Sequence, residues 1–245
     1  HLRTRRQRQM CIRDSSMTTI ATGGFSNYDQ SIGYFNNAYI EIVSIIFILL
    51  GSIPFILYIK FISDDKKIIF KDEQVKLFFK LTLISILVLF IYLIIVNKSI
   101  FEIHLRSVIF NVVSILTGTG YVTKEFDQWG NFPLIFFLIL MFIGGCAGST
   151  TCGIKIFRVH ILYHFIRNQL IKIIYPRAII NLKYNNSKVE DKLIASIISF
   201  IYLYILIFFV LASMLTLTGL DFITSVSGAA SSLSNFCFFP SWTEE

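Results

Sequence analysis

The chain has 245 residues, of which 55% are hydrophobic and 15% are charged, and its mean hydropathy is +0.69. About a quarter of the residues in an ordinary soluble domain are charged, so this composition excludes soluble globular, disordered, collagen-like and disulfide-scaffold proteins. The net charge of +7 does not indicate a nucleic-acid partner, because the basic residues lie between apolar segments, where membrane topology explains them.

Four long apolar segments dominate the chain, at residues 38–62, 77–96, 132–143 and 193–218. Three of them reach the roughly 20 residues that an α-helix needs to cross a bilayer. They lack the alternation of a barrel strand, and backbone amides in lipid must be satisfied within each segment. The predicted fold class is therefore an all-α polytopic membrane protein.

Residues 1–15 form a basic arm with five arginines, no apolar run and no initial methionine. They lack the apolar core of a signal peptide. The arm is either a juxtamembrane segment or a foreign start joined to a fragment, and we favour the foreign start.

The following apolar segments alternate in direction and in length. Ala38–Ile62 is predicted as one inward-running span, kinked at Pro54. Leu77–Val96 returns outward. Leu105–Leu116 is too short to cross and suits a half-crossing helix that ends at Thr117–Tyr121 (TGTGY).

A second inward-running segment, Phe132–Ile143, is interrupted by ten mostly small residues, Gly144–Gly153 (GGCAGSTTCG). Small and hydroxyl residues at membrane depth indicate unwound backbone, which is tolerated only inside protein or beside a water-filled cavity. The alternative is a tight helix crossing through Gly144 and Gly148, a GxxxG pair. We favour the unwound loop.

The remaining segments complete the membrane topology. Ile156–Ile174 is predicted as a basic amphipathic helix that contacts membrane lipid at the cytoplasmic surface. Its His160 and His164 have a metal-binding spacing, but no third ligand is near, so a metal site is not favoured. Leu193–Thr218 is the last span, and Asp221–Leu233 is a second half-crossing helix.

The distribution of positive charge orients these segments. Basic residues crowd the connection between the first two spans and the connection before the last one, which should both face the cytoplasm. They are Lys60, Lys66, Lys67, Lys71, Lys76 and Lys80, then Lys155, Arg158, Arg167, Lys172, Arg177, Lys183, Lys188 and Lys192.

An internal repeat is visible at the ends of the half-crossing segments. Met17–Phe25 (MTTIATGGF) aligns with Val113–Tyr121 (VSILTGTGY), 96 residues later, and Ala230–Phe238 (ASSLSNFCF) is a weaker third copy. A half-helix that ends in a Thr/Gly loop suits a cation filter, because extended glycine-rich backbone can turn its carbonyl oxygens to one axis. The partial negative charge of the helix C-terminus adds to the attraction.

These motifs resemble the TrkH branch of the Trk/Ktr/HKT potassium transporters. The likeness covers roughly residues 16–235, and it is close in four stretches. They are Ser16–Tyr34 (SMTTIATGGFSNYDQSIGY), Asn111–Tyr121 (NVVSILTGTGY), Gly144–Lys155 (GGCAGSTTCGIK) and Pro176–Ala178.

The resemblance implies a fold of four repeats around one axis, each with a spanning helix, a pore half-helix, a filter loop and a second helix. It also implies a homodimer in the bacterial plasma membrane, with filter loops outward and a cytoplasmic nucleotide-binding gating ring of the TrkA type. The implied filter residues are Thr22, Gly23, Gly24, Gly118, Thr119 and Gly120, with Asn235 and Phe236 at a damaged fourth edge. The implied gating-loop residues are Gly144, Gly145, Gly148, Ser149, Thr150, Thr151, Gly153 and Lys155.

The chain departs from the family pattern at both ends. The residues before Met17 are polar where an apolar half-helix is expected, and Cys237 stands where a glycine is expected. We therefore expect a fragment with foreign or misread ends, which alone does not conduct. Its expected divisions are residues 1–15 (foreign arm), 16–76 (end of the second repeat), 77–192 (third repeat), 193–238 (partial fourth repeat) and 239–245 (non-matching end).

The expected function is potassium uptake by the parent protein, with potassium as the substrate and no bound cofactor. An enzyme is not expected, because no Ser/His/Asp set, carboxylate pair or phosphate loop converges in the sequence. The alternative is a non-conducting structural membrane subunit or an inactive truncated fragment.

Overall fold

The structure is a computed structural model that describes residues 12–26, 28, 31–63, 68–97, 101–123, 129–175, 182–185 and 187–234. We label its first helix, residues 12–20, α1. The other elements in chain order are a 3₁₀ helix Ser31–Phe35, α2 Ala38–Gly51, α3 Phe55–Ser63, α4 Ile68–Lys71, α5 Glu73–Asn97, α6 Phe101–Leu116, α7 Asn131–Phe142, α8 Ile156–Ile174, β1 Lys183–Tyr184, β2 Ser187–Lys188, α9 Asp191–Leu217 and α10 Phe222–Leu233.

Helices α5 and α9 are long and apolar enough to cross a membrane, and α2 with α3 gives a third span if the bent pair counts as one. Helices α6, α7 and α10 are shorter. Strands β1 and β2 form a small antiparallel hairpin, in which Lys183 lies opposite Lys188. This architecture confirms the all-α polytopic fold class, including the predicted half-length helices.

The predicted bend at Pro54 is present, but it is sharper than a kink within one helix, because Ala38–Gly51 and Phe55–Ser63 are two helices that meet at an angle of 85°. Pro54 has no N–H to continue the helical hydrogen bonds. The loop after α7 pairs with the backbone groups released at the break. Its bonds there are Cys146 N–H to Ser52 O (3.3 Å), Thr150 N–H to Gly51 O (3.3 Å) and Phe55 N–H to Gly148 O (3.0 Å).

The first half-helix also differs from expectation, since α1 includes the polar residues before Met17. Hydroxyl side chains donate to carbonyls about one turn earlier, as Thr18 Oγ1 does to Asp14 O (2.9 Å) and Thr19 Oγ1 to Ser15 O (2.6 Å). Local hydrogen bonds of this kind satisfy the polar groups within a helix. Apolar patterning alone misses such a helix.

Unwound backbone after α7 is confirmed, and the alternative of a helical GxxxG crossing is excluded because α7 ends at Phe142. Ile143 and Ile154 form an isolated parallel bridge, so the residues just before and just after the interruption lie side by side and run in the same direction. We call residues 144–153 the intramembrane loop. The main apolar core lies around α5, α6 and α7, and its fully buried side chains include Phe78, Leu89, Val108 and Leu116.

Candidate ion pathway: two filter-like loops and an intramembrane loop

Helices α1 and α6 end in the same way, 96 residues apart. In both, the backbone N–H groups that follow the last turn donate back to carbonyls of that turn, which is how a helix C-terminus satisfies its free carbonyls. At the end of α1 the bonds are Ala21 N–H to Met17 O (3.0 Å), Thr22 N–H to Thr19 O (3.3 Å) and Gly23 N–H to Thr18 O (2.8 Å). At the end of α6 the equivalent bonds are, in the same order, Thr117 N–H to Val113 O (3.1 Å), Gly118 N–H to Ile115 O (3.1 Å) and Thr119 N–H to Ser114 O (2.9 Å).

The two loops also share their backbone conformation. Thr22 and Gly118 occupy equivalent positions, with φ of 50° and 71°, and Gly24 and Gly120 follow with φ of 68° and 87°. Left-handed backbone is costly for a side chain such as that of Thr22 and natural for glycine. The repeat seen in the sequence is therefore a repeat of loop geometry.

The third copy matches as far as the structure describes it. Ser234 N–H donates to Ala230 O at 3.0 Å, and Ser234 Oγ donates to the same oxygen at 2.7 Å. Thr117 makes the equivalent pair of bonds to Val113 O, at 3.1 and 2.8 Å. The predicted edge residues Asn235 and Phe236 lie outside the described residues.

The first two loops contact each other through the buried side chain of Tyr121, the half-buried side chain of Thr18 and the backbone of Phe25. The hydroxyl of Tyr121, a residue 1% exposed, lies 2.5 Å from Thr18 Oγ1 and donates towards Phe25 O at 3.1 Å. A Cβ atom built on Gly24 would lie 1.7 Å from Thr119 O. The loops from two repeats are thus packed so closely that glycine is required where they meet.

Removing the Tyr121 hydroxyl should weaken this junction. We expect Tyr121→Phe to lower the free energy of unfolding by about 1 kcal/mol, because the half-buried Thr18 hydroxyl and the Phe25 carbonyl lose a hydrogen-bond partner. Thermal unfolding in detergent measures the change. The control is Tyr163→Phe, at a tyrosine that is 63% exposed on α8, which should change stability little. Equal effects of the two variants would contradict the role given to the Tyr121 hydroxyl.

The intramembrane loop lies against both filter-like loops. Thr22 Oγ1 is 3.1 Å from Thr150 Oγ1, and Thr150 Oγ1 also donates to Gly51 O at 3.1 Å. A Cβ atom on Gly118 would lie 3.4 Å from the Cβ of Cys152. The structure thus places the predicted loop residues beside the predicted filter residues.

Hydrogen bonds inside the intramembrane loop hold its shape. Gly144 N–H donates to Ile154 O at 2.8 Å, and Gly145 N–H donates to Thr151 Oγ1 at 3.0 Å. Lys155 Nζ donates to Thr151 O, with Thr151 Oγ1 at 3.2 Å. Ser149 Oγ is 2.8 Å from Thr151 Oγ1. Gly148 and Gly153 supply left-handed positions, with φ of 81° and 79°.

Sequence reasoning missed two contacts around this pathway. Gln74, at the start of α5, accepts a hydrogen bond from Ala147 N–H at 3.0 Å and so ties the loop to that helix. Arg106 Nε on α6 lies 2.7 Å from Glu41 Oε2 on α2. Each partner is distant in sequence from the other, and no motif links them, so only the fold brings them together.

The histidine pair on α8 has the spacing of a metal site. His160 Nε2 lies 2.9 Å from His164 Nε2. Glu73 Oε2 is 4.0 Å from His160 Nδ1, the ring nitrogen that does not face His164. Burial, and then the neighbouring His164, lower the pKa of His160, which favours the neutral ring. No group of three potential ligands occurs within the described part of the chain.

Comparisons with known proteins agree with this geometry. The model of the TrkH family, described as a cation transport protein, matches residues 13–236. The potassium uptake protein TrkI of Halomonas elongata is 37% identical over 221 residues, which cover 90% of this chain and 45% of TrkI. TrkH of Escherichia coli K12 is 30% identical over 231 residues, covering 90% of this chain and 46% of TrkH.

A solved structure gives the same result. The crystal structure of the potassium transporter TrkH from Vibrio parahaemolyticus matches with a TM-score of 0.86 and 32% identity, over 90% of this chain and 48% of that one. The chain therefore spans about half the length of the relatives that it matches. These matches confirm the resemblance seen in the motifs and the expectation of a transport protein, not an enzyme. The chain belongs to the TrkH family of cation transport proteins.

Proposed function

We propose that the complete protein carrying this chain takes up potassium across the membrane through a filter lined by backbone carbonyl oxygens. The observation that carries the proposal is the equivalent geometry of the two contacting loops, which share hydrogen bonds and left-handed positions. A filter needs the same conformation from several repeats, because each must present oxygens to one axis in place of the ion's hydration shell. The related proteins named above are potassium uptake proteins.

In this proposal the filter residues are those predicted from the sequence. The first loop contributes Thr22, Gly23 and Gly24. The second contributes Gly118, Thr119 and Gly120, and Asn235 and Phe236 mark the damaged fourth edge. Neutral carbonyl dipoles bind a monovalent ion without trapping it, whereas a ring of carboxylates would favour divalent cations.

The intramembrane loop is proposed as the gate. It lies against Thr22 and Gly118, where a segment of backbone can obstruct a path from the filter to the cytoplasm. The residues assigned to this role are Gly144, Gly145, Gly148, Ser149, Thr150, Thr151, Gly153 and Lys155. Glycine at 144 and 145 is required sterically, since a Cβ atom would lie 1.8 Å from Cys152 O and 2.6 Å from Thr151 Oγ1 respectively.

We further propose a membrane setting for the complete protein, which family membership and the charge distribution support. In this proposal it lies in the bacterial plasma membrane as a homodimer, with the basic connections cytoplasmic and the filter loops outward. A nucleotide-binding ring of the TrkA type would contact the basic cytoplasmic segments. A non-conducting structural subunit is the alternative, and flux measurements distinguish it from a transporter.

The test of the filter is Gly120→Asp in the complete transporter, with rubidium as the tracer ion. We expect uptake to fall to background, because a carboxylate at a left-handed filter position blocks the axis and binds the cation too strongly. The matched control is Gly219→Asp, at an exposed glycine with φ of 91° and nothing within 4 Å of a built Cβ. Unchanged uptake in Gly120→Asp would contradict the assignment of Gly120 to the filter.

A further inference from the structure

The backbone that leaves the second filter-like loop is held by a buried side chain of the half-helix before it. We call residues 121–123 the exit segment. Asn111 on α6 is 1% exposed, and its Oδ1 accepts a hydrogen bond from Thr123 N–H at 3.3 Å and lies 3.4 Å from Thr123 Oγ1. Ser114 O, about one turn further along α6, accepts from Thr119 N–H at 2.9 Å. The loop is therefore tied to the same helix both where it begins and where it ends.

The other side of the exit segment lies against the 3₁₀ helix Ser31–Phe35, which follows the first filter-like loop. Gly33 N–H donates to Val122 O at 3.2 Å, and Val122 N–H donates to Ser31 Oγ at 3.4 Å. A Cβ atom on Gly33 would lie 2.6 Å from Thr123 O, so glycine is required for this close approach. Within the described part of the chain, the backbone of Val122 and Thr123 has no other hydrogen-bond partner. The exit segment is thus held between α6 and this 3₁₀ helix.

The first filter-like loop shows a related arrangement. The carbonyl oxygen of Phe25, just after that loop, lies 3.1 Å from Thr18 Oγ1 on α1, and the Tyr121 hydroxyl donates to the same oxygen at 3.1 Å. In both repeats, therefore, a side chain of the half-helix and a group from the neighbouring repeat contact the backbone that leaves the loop. The residues differ, because Thr18 aligns with Ser114 and not with Asn111. Holding the exit backbone is thus a common feature of the two repeats, although different residues do it.

The exit segment begins directly after the proposed filter. Only Gly120 and Tyr121 separate the two tied residues, Thr119 and Val122. Gly120 has φ of 87° and no Cβ atom to restrict its backbone, so contacts outside the loop must fix its conformation. A filter replaces the hydration shell of an ion with carbonyl oxygens, and its ion preference depends on how those oxygens are held.

We propose that Asn111 and Gly33 are positioning residues that hold the exit segment and thereby set the ion preference of the filter. The proposal rests on the proposed potassium filter. Neither residue lies in a filter-like loop, and each acts through the backbone of Val122 and Thr123. Their effect is on the ratio of uptake of two cations, in addition to any effect on folding.

The first test is Gly33→Ala in the complete transporter, reconstituted in lipid vesicles. Gly33 does not have a left-handed φ, so alanine is unstrained there except for the contact of its Cβ with the backbone of Thr123. We expect the ratio of rubidium to sodium uptake to fall on the order of fivefold, the change that corresponds to one neutral hydrogen bond. The matched control is Gly228→Ala on α10, where a Cβ would lie 3.4 Å from the flexible end of Leu215. It should keep the wild-type ratio.

Asn111→Leu tests the other side of the exit segment, because leucine has a similar size but cannot accept a hydrogen bond. We expect the same fall in the uptake ratio, with less folded protein because Thr123 N–H loses its partner. Asn168→Leu, at a half-exposed asparagine of α8, is the control and should change neither readout. If Asn111→Leu does not fold, Gly33→Ala decides alone. A wild-type ratio in either folded variant would overturn the proposal.

Failure of this proposal is distinguishable from failure of the filter. If Gly120→Asp abolishes uptake while Gly33→Ala keeps the wild-type ratio, the filter stands and the positioning role falls. If Gly120→Asp leaves uptake intact, the filter assignment falls and the positioning role falls with it.

Discussion

Gly24→Ala in the complete transporter should abolish rubidium uptake although it adds a single methyl group. The new Cβ would lie 1.7 Å from Thr119 O, a backbone atom that cannot rotate away. Gly24 also has φ of 68°, and left-handed backbone costs a non-glycine residue about 1–2 kcal/mol. The two filter-like loops must separate to admit the methyl group, and this separation removes the proposed ion-binding geometry. Tracer uptake, normalised to folded protein, measures the effect.

Gly219 provides the matched control for this variant. Gly219→Ala also introduces alanine at a left-handed position, with φ of 91°, but with open space around it. We expect it to retain uptake. If Gly24→Ala and Gly219→Ala lose uptake equally, the close approach of Gly24 to Thr119 is not the cause.

Deleting Gly148–Thr151 should give the second large effect, a rise in passive cation flux. The intramembrane loop lies against Thr22 and Gly118. Because the loop is proposed to obstruct the pathway at this point, shortening it should open a path for cations. Efflux of rubidium from vesicles in the absence of a driving gradient for uptake measures this flux. Unchanged efflux would show that the loop does not obstruct the pathway.

The deletion also removes the hydrogen bonds that the loop gives to the α2–α3 break, so a milder variant is needed beside it. Thr150→Val removes the hydroxyl contacts to Thr22 Oγ1 and Gly51 O but keeps the backbone. We expect a smaller rise in efflux than the deletion gives. Thr216→Val is the control, because that hydroxyl bonds Ala212 O within its own helix. Equal efflux in both valine variants would contradict a specific role for Thr150.

Features set by local sequence were predictable, and features set by distant partners were not. The half-helix α6, the unwound loop after α7 and the amphipathic helix α8 follow from segment length, from clustered glycine and from charge periodicity. The left-handed positions at Gly24, Gly118 and Gly120 follow from glycine spacing in the repeat. The roles of these residues in ion binding and gating stay predictions.

The errors have a common physical origin. Ala38–Ile62 is apolar throughout apart from a few residues, so its pattern predicts one helix, and the right-angled break depends on a loop about a hundred residues later that pairs with Gly51 and Ser52. The helix before Met17 was missed because its polar groups are satisfied by side-chain bonds to its own backbone. The Glu41–Arg106 pair was missed because a single sequence carries no sign of which distant charges meet.

The hydrogen bonds at the α2–α3 break also constrain the order of biosynthesis. Thr150, which bonds Gly51 O, is synthesised 99 residues after it. At about 5–20 residues per second, translation takes roughly 5–20 s to cover that interval. Before the loop is made, a break here would leave backbone groups that lipid cannot satisfy. The bent arrangement of Ala38–Ser63 can therefore become stable in lipid only after the loop has been made.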